Sequence, residues 1–135
     1  MADELFLEIV TPEKRVFSGK IEEVTIPGSE GEFGVLAGHA ALLSGINLGE
    51  LNYMEGNKKT YYAIDTGYAE VASDKVTVLV ESAQRADMID RDKAQKDKEM
   101  AEQKLARISG DDPDYEKTVS IIEKEGNRLK VSENA

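Results

Sequence analysis

The spacing of the hydrophobic residues changes near residue 87, and this change limits the folds open to the chain. In the first part apolar and polar residues alternate, as in Leu5–Val10 (LFLEIV) and in the later segment KVTVLVES. Alternation with period two is typical of strands that bury one face. Turn signals at Pro27-Gly28 and at Asp74 separate such short segments. Many short strands divided by turns predict a β-sandwich or barrel over residues 1–87.

The second part, residues 88–135, is rich in helix-forming residues instead. Gly110 predicts the end of a first helix, Asp112 the N-cap of a second helix, and Pro113 suits the first turn of that second helix. The two helices predict an antiparallel hairpin with apolar residues every three, four or seven positions. These residues are Ala94, Ala101, Leu105 and Ile108 in the first helix and Tyr115, Val119, Ile122, Gly126 and Leu129 in the second.

The apolar content of this hairpin is small. Gly126 costs about 1 kcal/mol relative to alanine in a helix interior, and full burial of one large apolar side chain contributes only about 1.5–3 kcal/mol. Ordering entropy opposes these contributions, so the isolated hairpin is marginal. Two interpretations follow: a helical arm that leaves its own fold to bind elsewhere, or an ordinary hairpin packed on the sandwich.

Charge and residue inventory exclude several classes of function. The net charge is −10, so we expect neither nucleic acid nor insertion into anionic lipid, which require basic patches. The chain has no cysteine and one histidine, so a transition-metal site and cysteine catalysis are not expected. No apolar run approaches the roughly 20 residues of a membrane span. The N-terminal segment MADELFLEIV lacks the pattern of a signal or transit peptide.

The segment SEGEFGVLAGHA (29–40) allows three interpretations. A small hydrolase would use His39 with Glu32, although general acid–base chemistry needs further groups that converge on one pocket. A lectin-like module would use aromatic residues, and Tyr61, Tyr62 and Tyr68 are the only cluster of that kind. The third interpretation is a shaped edge of the sandwich that another protein contacts.

Long ordered motifs favour the third interpretation. The segment LEIVTPEKRVFSGKIEEVTIPGSEGEFGVLAGHAALLSGINLGEL and the later segments YYAIDTGYAEVASDKVTVLVESA and MIDRDKAQ follow one another in the chain. Together they resemble the epsilon subunit family of F-type ATP synthases over about Leu5 to Arg128. Ala37 and Ala41 stand where that family usually has proline, which predicts a less rigid loop. Asp65-Thr66-Gly67 replaces a Ser-Gly-Gly pattern.

The resemblance implies a fold, a function and a location. The fold would be a ten-stranded β-sandwich followed by a two-helix antiparallel hairpin. The chain would be a non-catalytic rotor subunit of the central stalk, without an active site of its own and without a cofactor. It would join the gamma subunit to the c-ring, coupling proton flow to ATP synthesis, and its helical arm would inhibit ATP hydrolysis. It would lie on the cytoplasmic face of the bacterial inner membrane rather than on a thylakoid membrane.

The resemblance also implies site residues. Contact with the c-ring would be made by Ser29, Gly31, Glu32 and His39. Weak ATP binding between the helices would use Asp90, Lys93, Lys124 and Arg128. Lys93 replaces an arginine of the family motif and Met100 replaces a further basic residue, so phosphate contacts are lost. An ordinary solvated charged face is the alternative interpretation of this group.

The extended arm would meet the alpha and beta subunits through basic residues. Interleaved charges of this kind are also typical of a helix that is simply solvated. The basic residues concerned are Lys96, Lys98, Lys104 and Arg107.

Overall fold

The computed structural model describes residues 4–135. Ten strands precede the helices, as the resemblance predicts. They are β1 Leu5–Val10, β2 Arg15–Ile21, β3 Glu23–Gly28, β4 Gly31–Leu36, β5 Leu42–Ile46, β6 Gly49–Glu55, β7 Lys58–Ile64, β8 Gly67–Ala72, β9 Lys75–Val80 and β10 Ala83–Arg85.

The strands form two layers that are joined at one narrow place. Strands β10, β7, β6, β3 and β4 form one layer, and β5, β8, β9, β1 and β2 form the other. The layers are connected where β3 meets β5, through the single ladder pair Gly28 and Ile46. Next to this pair, Ser29 N donates a hydrogen bond to Gly45 O at 2.9 Å. The fold class of a sandwich followed by a helical hairpin is confirmed.

The core lies between the two layers and follows the predicted alternation. Leu7, Val24, Val35, Val76 and Val78 are fully buried. Burial of each such side chain contributes about 1.5–3 kcal/mol, so these inward-facing positions hold the two layers together.

A stacked aromatic pair closes the edge of the sandwich where β2 faces β6. The rings of Phe17 on β2 and Tyr53 on β6 have centroids 4.6 Å apart. The two strands are not paired in the sheet, so side-chain packing alone connects the layers here.

The two predicted turns have different outcomes. Ser73 and Asp74 adopt positive φ angles of 52° and 60° in the turn between β8 and β9, so this prediction is confirmed. The turn predicted at Pro27-Gly28 is wrong, because both residues belong to β3 and the turn occupies residues 29–30. Proline is tolerated at a strand position where no N–H is needed.

The helical part begins with a short 3-10 helix at Ala86–Met88, followed by α1 (Arg91–Leu105) and α2 (Tyr115–Ser132). The N-cap predicted at Asp112 is wrong by two residues, since α2 begins only after Asp114. The carboxylate of Asp112 instead accepts a hydrogen bond from the backbone N–H of Asp114 at 2.8 Å, which shapes the turn before the helix.

The helices pack on each other through small residues, as predicted for α1. Ala94 and Ala101 of α1 are buried. Gly126 of α2 faces this helix, because a Cβ atom added to it would lie 3.7 Å from Cε of Lys98. The residues predicted for the α2 seam are only half-buried, whereas Thr118 and Glu125 are buried. No helix within residues 4–135 is long and apolar enough to cross a membrane.

Candidate functional site

The turn between β3 and β4 carries three of the predicted contact residues. Ser29 lies in the turn, and Gly31 follows with a φ angle of +124°, which only glycine adopts readily. Glu32 is exposed and stands opposite Pro27 in the ladder of β3 and β4. The turn therefore exposes the Glu32 carboxylate next to Gly31, whose backbone conformation would be strained with a larger residue at that position.

His39 lies beyond the opposite end of β4. It belongs to the segment 37–41 between β4 and β5, where its N–H donates to Leu36 O at 3.1 Å. Gly38 N donates to the carboxylate of Asp74 at 2.7 Å, which ties this segment to the turn between β8 and β9. The sequence identified Asp74 only as a turn residue, because nothing in the local pattern predicts a bond across 36 positions.

The structure does not bring His39 and Glu32 together. Leu36 lies four residue steps along the extended strand from Glu32, a distance of about 13 Å, and His39 follows beyond that point. A general acid–base pair must meet at one reacting atom. Glu32 and His39 therefore cannot act together as the acid–base pair of a hydrolase.

The tyrosines of the lectin-like interpretation are also dispersed. Tyr62 is buried with its ring centroid 6.1 Å from that of Tyr53. Burial raises the pKa of Tyr62 to about 12, and burial likewise raises the pKa of Tyr53. Tyr68 is exposed on the other layer. The aromatic residues do not form one binding platform.

An exposed apolar face covers the outside of the layer that contains β5, β8, β9 and β1. Tyr68 on β8 stands directly opposite Leu79 on β9, and their side chains are 64% and 51% exposed. Leu43 on β5 is 72% exposed and Phe6 on β1 is 37% exposed. Charged residues stand between them, since Glu70 lies opposite Leu43 and Lys75 opposite Phe6. Large exposed apolar side chains grouped on one face of a sheet mark interaction surfaces. We call Phe6, Leu43, Tyr68 and Leu79 the outer apolar face.

A groove of about 540 Å³ runs between α1 and α2. It is lined by cationic, anionic and apolar side chains, so it could hold a mixed polar and apolar ligand. Its lining residues are Lys93, Asp97, Met100, Ala101, Lys104, Asp114, Lys117, Thr118, Ile121, Glu125 and Arg128.

Two of the four predicted nucleotide residues line this groove. Lys93 pairs with Asp97 at 2.7 Å, and this hydrogen-bonded pair raises the pKa of Lys93. Arg128 binds the carboxylate of Glu125 at 2.6 Å. A phosphate in the groove would therefore compete with carboxylates that already satisfy both cations.

The other two predicted nucleotide residues have different partners. Asp90 is the N-cap of α1 and accepts a hydrogen bond from Lys93 N at 3.0 Å. Lys124 points towards the sandwich and pairs with Asp65 at 3.2 Å. Asp65 was identified in the sequence only as a departure from the family pattern, since residues so far apart in the chain give no local signal of pairing.

The basic residues predicted to meet other subunits lie along α1 and its C-terminal end. Lys96 and Arg107 are exposed. Lys104 pairs with Asp114 at 3.1 Å, and Lys98 lies 3.8 Å from Glu102. Exposed pairs of this kind contribute little to stability, about 0–1 kcal/mol each, so these lysines can exchange partners.

The fold defines a class of protein: a small β-sandwich that carries a docked pair of helices. The family model for the ATP synthase delta/epsilon chain β-sandwich domain matches residues 4–86. The chain belongs to this family, and the resemblance stated from the sequence is confirmed.

The sequences of full-length relatives support the same family assignment. The ATP synthase epsilon chain of Geotalea uraniireducens (strain Rf4) is 42% identical over 135 residues, covering 100% of this chain and 98% of that protein. The ATP synthase epsilon chain of Nitratidesulfovibrio vulgaris (strain DP4) is 44% identical, covering 100% of both chains. The chain is thus a subunit of ATP synthase, a structural or regulatory component and not an enzyme with its own active site.

Solved structures show the same fold. A chain of the Euglena gracilis mitochondrial ATP synthase, in a structure of OSCP, F1 and the c-ring, matches with a TM-score of 0.70 and 25% identity. That match covers 98% of this chain and 79% of the other. A chain from the central stalk and c-ring structure of the Tetrahymena thermophila mitochondrial enzyme matches with a TM-score of 0.56 at 14% identity, which shows the fold alone.

Proposed function

We propose that this chain is a rotor subunit of the central stalk that joins the gamma subunit to the c-ring and so couples proton flow to ATP synthesis. The observation that carries this proposal is full-length similarity to ATP synthase epsilon chains. The similarity to a chain in an assembly of F1 and the c-ring supports contacts with both parts. Two separate contact surfaces on one sandwich suit a subunit that joins two partners.

The outer apolar face is our candidate for the gamma contact. Its exposed leucines and tyrosine would lose contact with water in a lasting interface, and burial of apolar area contributes about 25 cal/mol per Å². Replacement of Leu79 by lysine should prevent capture of gamma by the purified chain. Lys58→Glu, a change at an exposed position of β7 in the other layer, is the control. Equal capture by both variants would contradict the assignment.

The turn between β3 and β4 is our candidate for the c-ring contact. Ser29, Gly31 and Glu32 lie together there, and the Glu32 carboxylate would pair with basic groups of the ring. His39, the fourth residue predicted for the ring contact, is exposed beyond the far end of β4, so this candidate surface consists of Ser29, Gly31 and Glu32.

The ring contact is tested by charge reversal. Glu32→Lys should weaken assembly of the catalytic head with the membrane sector and reduce coupled proton pumping. The control is Glu55→Lys at the end of β6, next to the opposite end of β3 from this turn. Assembly and pumping that stay normal in Glu32→Lys would refute the ring contact.

We further propose that residues 1–87 and 88–135 act as separate units, and that the helical unit inhibits hydrolysis when it extends towards the alpha and beta subunits. Lys96, Lys98, Lys104 and Arg107 would then meet acidic segments of those subunits. Deletion of 88–135 should raise hydrolysis by the isolated head, or leave it equal, while assembly survives. A fall in hydrolysis would contradict an inhibitory arm.

A weak regulatory ATP site is the second candidate, and the groove between the helices supports it. Lys93 and Arg128 would hold the phosphates. Asp90 would contribute as the N-cap of α1, where it accepts a hydrogen bond from Lys93 N and fixes the backbone of that residue. Calorimetric titration of the full chain with MgATP tests this directly, with Arg128→Gln as the variant that should lose binding. Absence of heat at millimolar nucleotide would remove the candidate.

We place the subunit at the membrane surface, on the cytoplasmic side of the bacterial inner membrane. The bacterial relatives support this location. The c-ring contact would hold the chain there without lipid insertion. Fractionation of cells should therefore recover the chain with the membranes, and a wash without detergent that strips the catalytic head should release the chain as well; a chain that needs detergent for release would contradict attachment through protein contacts alone.

A further inference from the structure

One side of α2 is attached to the sandwich by a mixture of polar and apolar contacts. Lys124 Nζ lies 3.2 Å from Asp65 Oδ2. One turn further on, Asn127 Nδ2 donates to the carbonyl oxygen of Gly49 at 3.0 Å. Val131 is buried in a small apolar cluster at the same surface. Residues three or four apart share one face of a helix, so these contacts form one docking surface.

The first helix takes no comparable part in docking. Within residues 4–135, the side-chain hydrogen bonds and ion pairs that leave α1 go to α2 or to the turn between the helices. Arg91 donates to Ser132 Oγ at 2.6 Å, and Lys104 pairs with Asp114. The hairpin is therefore held on the sandwich by α2, and the contacts of α2 decide whether the whole arm is docked.

The ion pair differs from the other contacts of this surface because one of its charges is shielded from water. The Asp65 side chain is only 11% exposed, whereas that of Lys124 is 40% exposed. Asp65 Oδ1 accepts from Thr66 N at 2.7 Å, which leaves Oδ2 for the lysine. A charge that keeps its burial and loses its partner is strongly unfavourable. Removal of Lys124 should therefore disfavour the docked arm specifically.

Lys124 lies on α2 at the boundary between the side that faces the sandwich and the side that faces the groove. At 100° per residue, Lys124 lies about 60° from Asn127 on the sandwich side and about 40° from Arg128 on the groove side. A single ammonium at this boundary can satisfy Asp65 or a ligand in the groove, and in this structure it satisfies Asp65.

We propose that Asp65 and Lys124 form an ionic latch that holds the helical arm on the sandwich, and that Lys124 serves docking in place of nucleotide binding. The inference rests on the proposed mobility of the arm. It assigns a regulatory role to Asp65, which stands where the family pattern has a serine. The latch should weaken as salt rises, because separated charges are screened better than a shielded pair is.

The test uses the complete chain, which contains no native cysteine. Cysteines placed at the exposed Asn57 and Ser109 carry a fluorophore pair that reports the distance between sandwich and arm. Asp65→Asn keeps an acceptor for Thr66 N–H while it removes the charge. Lys124→Gln removes the other charge.

We expect each single variant to raise the ratio of undocked to docked arm about tenfold. The double variant should release the arm no further than Lys124→Gln alone, since the two residues act through one interaction and Asp65→Asn leaves no unpaired charge. Raising the salt concentration from 50 to about 500 mM should release the wild-type arm and leave the variants unchanged. The matched control is Lys117→Gln, a lysine on the groove side of the same helix.

Additive effects of the two single variants, or effects equal to that of Lys117→Gln, would overturn the latch. Amide exchange across α2 detects openings too rare for the fluorophores, and thermal unfolding checks that the sandwich remains intact. We expect Lys124→Gln to bind MgATP as tightly as the wild type does. Loss of MgATP binding in this variant would overturn the proposal that Lys124 does not take part in nucleotide binding. Release of the arm without any change in hydrolysis by the complete complex would count against the proposed inhibition, and the latch itself would stand.

Discussion

Replacement of Val131 by alanine should detach the arm while it leaves the sandwich folded. Val131 is 1% exposed and forms an apolar cluster with Ala63 and Ala86. The substitution removes two carbon atoms, worth about 0.8 kcal/mol each, and leaves a cavity that costs more where neighbours cannot close it. We expect a loss of about 1.5–2.5 kcal/mol, which lowers the docking equilibrium roughly 10- to 70-fold.

Amide hydrogen exchange measures this effect in both parts of the chain at once. Amides of α2 should exchange faster by the same factor, while those of the central strands β1 and β9 should keep their rates. Met100→Ala is the control, because it removes a larger side chain of the arm that is 58% exposed. Equal acceleration in α2 and in β1 would refute the reasoning, since the arm and the sandwich would then open as one cooperative unit.

Three further predictions concern the sandwich. Gly67→Ala should cost at least about 3 kcal/mol in thermal unfolding, because a Cβ there would overlap the backbone of β9, whereas Gly34→Ala, with its nearest atom at 4.0 Å, should be tolerated. Burial raises the pKa of Tyr62 from 10.0 to about 12, so the neutral phenol should contribute up to about 3 kcal/mol of stability, complete below pH 10 and lost as the pH rises towards 12. A pH titration of stability should show a smaller loss in Tyr62→Phe than in the wild type, because only Tyr53 then keeps a raised pKa; identical curves would contradict the assignment. Asp74→Gly keeps the positive φ but removes the acceptor of Gly38 N–H, so exchange of that amide should rise about fivefold. Asp74→Asn should restore part of the protection, and unchanged exchange in Asp74→Gly would show that the bond does not hold the loop.

Local patterns predicted the elements better than their contacts. The alternation of Leu5, Leu7 and Ile9 predicted a strand and its buried face, because strand periodicity is set by the backbone itself. The Pro27-Gly28 pair gave a wrong turn prediction, because both residues fit at the end of β3, beyond its last ladder pair with β6 at Thr25 and Asn52. The cap at Asp112 was displaced by two residues because its carboxylate bonds within the preceding turn.

In the candidate site too, the sequence predicted individual residues but not the contacts between them. The sequence identified Lys124 as a basic residue on one face of a helix, but the partner of that residue is set by how the arm lies on the sandwich. Asp65 and Lys124 are brought together only by the tertiary fold. Likewise, Ser29 and His39 are close in sequence, and the extended strand β4 between them places them at opposite ends. Long-range pairing of this kind has no local signal.

The narrow joint between the two layers has a mechanical consequence. The turn at residues 29–30 leaves the sandwich directly beside the Gly28–Ile46 pair and the bond from Ser29 N to Gly45 O. A sideways load on this turn is therefore delivered to both sheets at their common seam, and neither sheet carries it alone. In a rotating shaft, such a joint passes torque into the body of the subunit without peeling one layer from the other.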